Sequence, residues 1–149
     1  MVGLKTRKDK DFVKVGNWDF WSKYLSDAEM MRLVDELKMG TINFADYLNS
    51  NLDEVEGTAE YKLFPFDNST VQVVFKIGGR NLAINLENIE INKKEGSFNC
   101  KVVIYGMTEY PYEPLAMKTV SNEKLTAENV KNIFKDAFEK VVTTMLKRN

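Results

Sequence analysis

The chain has 149 residues, 44% apolar and 29% charged, with a net charge of −1. That is the composition of an ordinary globular chain of one domain, and it excludes a nucleic-acid binder working by bulk charge. Histidine is absent and Cys100 is the single cysteine, which removes imidazole-based catalysis, imidazole metal sites, structural zinc and any internal disulfide.

The charge is unevenly spread: residues 1–14 sum to +3, residues 15–117 to −7 and residues 118–149 to +3. Residues 1–10 are polar and are expected to be loose. Within them Lys5, Arg7 and Lys8 are candidates for touching an acidic partner, and this tail is the one place where a nucleic-acid backbone is expected to be met. The N-terminus lacks the apolar core of a secretory signal, and the longest apolar stretch, residues 102–107, is too short to span a bilayer. A cytoplasmic location and no membrane contact are therefore expected.

Phe12, Val13 and Val15 suit a short strand. Asn17 suits the start of a turn carrying Trp18, Phe20, Trp21 and Tyr24. Four aromatics within seven residues cannot share one helix face, so Trp18, Trp21 and Tyr24 are candidate partner contacts. The competing reading is that they seal one end of the core. Ser26 and Glu29 have capping-box spacing, with Leu25 and Met30 placed as a hydrophobic staple. The helix they open carries Met30, Leu33, Val34 and Leu37 on one face. Gly40 is expected to stop it at the C′ position, and Asn43 to cap a shorter helix over residues 44–52. The sequence thus predicts two or three short N-terminal helices. The pair around Gly40 has helix-turn-helix spacing, but its second helix contains no basic residue and so does not suit DNA.

After the acidic connection at residues 53–57 the period switches from 3.6 to 2. Ala59, Tyr61 and Leu63 alternate with polar residues, as do Val71, Val73, Phe75 and Ile77. Gly78-Gly79 reads as a hairpin turn and not a phosphate loop, because no helix follows it. Leu82, Ile84 and Leu86 continue the alternation. Ile89 and Ile91 either follow a bulge in the same strand or begin a new one. A second turn ends in Gly96, and Phe98, Cys100, Val102 and Ile104 follow. Residues 115–120 suggest an edge strand. One apolar and one mostly polar face per strand is the signature of an antiparallel sheet covered on one side. Tyr110 and Tyr112, set among two prolines before the edge strand, are candidate recognition residues.

Thr126 is the expected N-cap of a last helix about 30 Å long. Val130, Ile133, Phe134, Ala137, Phe138, Val141, Val142 and Met145 recur along it at i, i+3, i+4 and i+7, and such a stripe must be buried.

The predicted class is α+β: N-terminal helices, an antiparallel meander of four to six strands, and a long amphipathic C-terminal helix packed on one sheet face. The element order also matches a helix-grip layout enclosing a cavity. Clustered carboxylates (Asp53, Glu54 and Glu56; Glu87 and Glu90) read as solvated charge in the absence of geometry, and no cofactor or metal is expected. No motif fixes a function. The leading expectation is a non-enzymatic module that binds a larger macromolecule, a protein partner or a second copy of itself, as a regulator or inhibitor would. The alternatives are an apolar small-molecule binder with its ligand between sheet and helix, and an enzyme using carboxylate, lysine or tyrosine chemistry.

Overall fold

The computed structural model describes residues 28–64, 70–107 and 112–148, with side chains omitted at 62–64 and 144–148. The expected Ser26 cap, the strand near Phe12 and the aromatic turn at residues 17–25 lie outside the described residues. The chain forms α1 (Ala28–Asn51), β1 (Val55–Phe64), β2 (Thr70–Ile77), β3 (Arg80–Asn92), β4 (Ser97–Gly106), β5 (Glu113–Lys124) and α2 (Ala127–Arg148). The five strands make one antiparallel sheet in the order β1-β2-β3-β4-β5. The α+β class and the antiparallel meander agree with the sequence.

The expected break at Gly40 is corrected. α1 runs unbroken for 24 residues, through Gly40 and past Asn43, so the two short helices and the helix-turn-helix spacing disappear. Gly40 serves close approach, not termination. A Cβ there would sit 2.7 Å from the Ala127 carbonyl oxygen and 2.7 Å from Val130 Cγ1, and it would also meet Val130 Cβ. The first turn of α2 therefore rests directly on the α1 backbone. Next to it, fully buried Thr41 tolerates a helix interior because its hydroxyl donates to the Leu37 carbonyl at 2.9 Å.

α2 starts where the sequence places it. The Asn129 N–H donates to Thr126 Oγ1 at 3.1 Å, which makes Thr126 the N-cap. Leu125 and Val130, both buried, occupy the N′ and N4 positions of a staple. A further cap arrives from the other helix: the Ala127 N–H donates to the Glu36 carboxylate at 2.7 Å, across 91 residues of sequence. A carboxylate at a helix N-terminus opposes the positive end of the backbone dipole.

Both helices cover one face of the sheet. Leu33, Leu37, Phe44 and Leu48 from α1 and Val130, Phe134, Phe138 and Val141 from α2 join Val71, Val73, Phe75, Leu82, Ile84, Leu86, Val102 and Ile104 in one core. At its centre Phe44 stacks on Phe134 at 5.1 Å between ring centroids, and Phe138 meets Phe75 edge-on at 5.5 Å.

Two turns and one bulge set the register. Gly78 and Gly79 have φ of 58° and 77°, the paired positive values of a two-residue type I′ hairpin. In β3 the alternation slips at Asn88 (φ 54°), where the pairing with β4 shifts between Glu87 and Glu90. One extra residue lets the even-numbered Leu82, Ile84 and Leu86 share a face with the odd-numbered Ile89. Ile89 and Ile91 therefore continue the same strand after a bulge.

Candidate functional site

The β1 edge of the sheet is fastened. Against β2, residues 57–59 face the single residue Phe75, a wide irregularity between Glu56 and Glu60. Asn49 of α1 repairs it: the Ala59 N–H donates to Asn49 Oδ1 at 2.6 Å, and Asn49 Nδ2 donates to the Ala59 carbonyl at 3.2 Å. One side-chain amide thus stands in for a strand neighbour. The Glu56 carboxylate accepts the Gly79 N–H at 3.1 Å.

The β5 side is open. β5 begins two residues before its expected start and extends four residues beyond its expected end. It carries Leu115 at 49% and Met117 at 59% exposure, and Tyr112 just ahead of it is 40% exposed. Among the large apolar side chains in the described residues, these and Met39 are the exposed ones. Between β4, β5 and α2 lies a cleft of about 110 Å³. Val102, Ile104, Ala116, Val120, Ile133 and Ala137 form its apolar wall, Met117 reaches it, and Lys118, Asp136 and Lys140 form its charged rim. Ligand pockets run to roughly 300–1,000 Å³. This cleft is the size of one aliphatic side chain.

Of the sequence-predicted site residues, Tyr112 is exposed beside this cleft-bearing strand. Lys5, Arg7, Lys8, Trp18, Trp21, Tyr24 and Tyr110 lie outside the described residues. Leu115 and Met117, exposed on the same strand, were not among the sequence-predicted candidates. Their signal was present: two large apolar residues at i and i+2 on an edge strand, with Ala116 between them.

The groups held back for acid–base chemistry are engaged with neighbours. Glu87 accepts from Tyr105 OH at 2.9 Å and from Asn85 Nδ2 at 3.0 Å, and Asn85 Oδ1 accepts from Gln72 Nε2 at 2.8 Å. Glu90 lies beside Asn99. Cys100 is buried on the helix side of β4, and desolvation pushes its thiol up from 9.0 to about 12. It is an inert core residue, as its place on the apolar face predicts. Among the described residues, no cluster of three or more acidic or cysteine side chains is arranged to hold a metal, and no helix is long and apolar enough to cross a membrane. No family model, curated protein or solved structure matches the chain.

Proposed function

We propose that the protein is a non-enzymatic interaction module that binds a protein partner on its β5 side, in keeping with a small regulator or inhibitor. The observation that carries this reading is that Tyr112, Leu115 and Met117 stay exposed at and along β5, the edge strand that on its helix side also walls a cleft the size of one side chain. Apolar side chains that folding leaves in water are the material of interface anchors, and a small pocket next to them suits one inserted partner residue. The partner meets side chains and does not extend the sheet. Pro114 removes a backbone donor, and β5 pairs with β4 through two irregularities, so β5 is a poor template for strand addition.

The test places a photo-crosslinking residue at Met117 and, as a control, at exposed Lys94 in the β3–β4 turn. A partner captured from position 117 and not from 94, and lost on Leu115→Lys, supports the reading. A strict monomer by size-exclusion mass that yields no position-dependent capture counts against it. The same cleft favours, second, a small apolar ligand. Native mass spectrometry of freshly purified protein would then show added mass that disappears on Ile133→Trp, which fills the cleft.

A further inference from the structure

β5 departs from the rule that the covered row of a one-sided sheet is apolar. Its helix-facing row is Ala116, Lys118 and Val120, opposite Ile104, Val102 and Cys100 of β4. The three β4 residues and Val120 are buried, yet Ala116 is half-buried and Lys118 is exposed. A small side chain and a cation stand where two core side chains would close the gap between sheet and helix. The gap is the cleft of about 110 Å³. An apolar cavity of about 150 Å³ holds a benzene ring, so about four or five aliphatic carbons fit here.

The mouth of the cleft is charged on both sides. Lys118 comes from β5, and Asp136 and Lys140 from α2. Asp136 and Lys140 have the spacing of a helical ion pair. Among the described residues, however, no ion pair engages Lys118, Asp136 or Lys140. Both ammonium groups are therefore open to an incoming anion. Two cations and one anion leave the rim one charge positive, so a single carboxylate balances it and Asp136 repels a second.

We propose that the cleft receives the C-terminal residue of the protein partner, an aliphatic residue such as leucine. Its side chain fills the apolar wall of Ile133 and Ala137, and its α-carboxylate lies between Lys118 and Lys140. The inference rests on the reading that a protein partner meets β5, and it names the part of that partner. Charge complementarity selects this occupant. The cleft has room for one side chain and the rim for one negative charge, and a C-terminal aliphatic residue carries both on a single Cα. The residues before it pass Met117, which also lines the cleft and is exposed. Capture of a terminal carboxylate is a known mode of peptide recognition. Here lysine side chains supply the attraction.

The test titrates the isotope-labelled full chain with the peptide acetyl-Gly-Ser-Gly-Ser-Leu and follows backbone and methyl resonances. Shifts are expected at Ala116, Val120, Ile133 and Ala137. The same peptide as a C-terminal amide is expected to bind about fivefold more weakly, and the acid peptide to lose about threefold in Lys118→Gln or in Lys140→Gln. Lys118→Arg is expected to retain binding, and Lys94→Gln in the β3–β4 turn to leave it unchanged. Ala116→Leu, which fills the cleft from the strand side, is expected to abolish it with far-UV circular dichroism retained. Equal affinity for acid and amide, shifts away from the cleft, or no binding overturns the inference. So does isocaproate, a free branched acid, bound as tightly as the peptide. Partner capture from position 117 that persists in both Ala116→Leu and the Lys118→Gln, Lys140→Gln double variant overturns it while leaving the β5 partner surface in place. Absence of capture by the unsubstituted chain removes that surface, and this inference with it.

Discussion

At the β1 edge, a strand irregularity that strands two backbone groups is closed by Asn49 reaching over from α1. At the β5 edge, two irregularities stand beside a cleft, with Leu115 and Met117 in water. The first arrangement satisfies polar groups that folding would otherwise bury unpaired. The second leaves in place apolar surface that folding alone does not require. Stability should therefore concentrate where α1, α2 and the β1–β3 half meet, and binding where the sheet is left unfinished.

The largest expected effect tests the fastened half at its centre. Phe134→Ala removes a fully buried ring stacked on Phe44 and is expected to cost about 3–5 kcal/mol in urea unfolding. Gly40→Ala comes next. Alanine favours a helix by about 0.5–1 kcal/mol, but here its methyl meets the Ala127 carbonyl and Val130. A net loss of about 1–3 kcal/mol is expected, and a gain in stability would show that the helices do not touch at this point. Asn49→Ala leaves the Ala59 N–H and carbonyl without their partner and is expected to cost about 1–2 kcal/mol, with faster amide exchange at Ala59. Met117→Lys, on the open edge, is expected to change stability by less than about 0.5 kcal/mol while abolishing partner capture. A loss as large as that of Phe134→Ala would erase the contrast between the edges.

Cys100 sharpens the comparison from inside, because it pairs with Val120 under the open edge. Its thiol is pushed up to about 12 in the fold from 9.0. Below pH 9 both the folded and unfolded states keep the proton, so the burial contribution is intact. As pH rises from 9 toward 12, the unfolded chain ionises while the native thiol does not, and stability falls. The urea midpoint should therefore drop between about pH 8 and about pH 10.5 by more than it does in Cys100→Ala. Equal pH dependence in the two proteins would mean that water reaches Cys100 through the cleft.

Most of the sheet and α2 could be read from the sequence, because period-2 alternation, Gly-Gly and the Thr126 cap are local signals. Gly40 was misread for a physical reason. A helix glycine that permits close packing and one that ends a helix look alike until the partner, 87 residues away at Ala127, is in place. β5 was only half legible because its outward side chains include Leu115 and Met117, which break the apolar-in, polar-out pattern. The same break is what makes them candidates for the proposed partner surface, and it was taken for an ordinary edge. Tyr112 was singled out in the sequence because prolines isolate it from any regular element, and its side chain is exposed. The buried amides Gln72 and Asn85 were invisible, since a polar residue on a strand reads as solvent-facing whether or not that face is wet.

The bond from Ala127 to the Glu36 carboxylate also sets a timetable. Every strand of the sheet meets its sequence neighbour through a local connection, so the meander can assemble as the chain emerges. α1, synthesised before it, has no complete apolar partner until α2 follows the sheet. Loop closure over that distance is the slow, entropically costly contact in this topology. A nascent chain stopped before residue 127 would hold its sheet with the helix-side face only partly covered by α1, so α2 acts as the clasp that closes the core and limits exposure to aggregation.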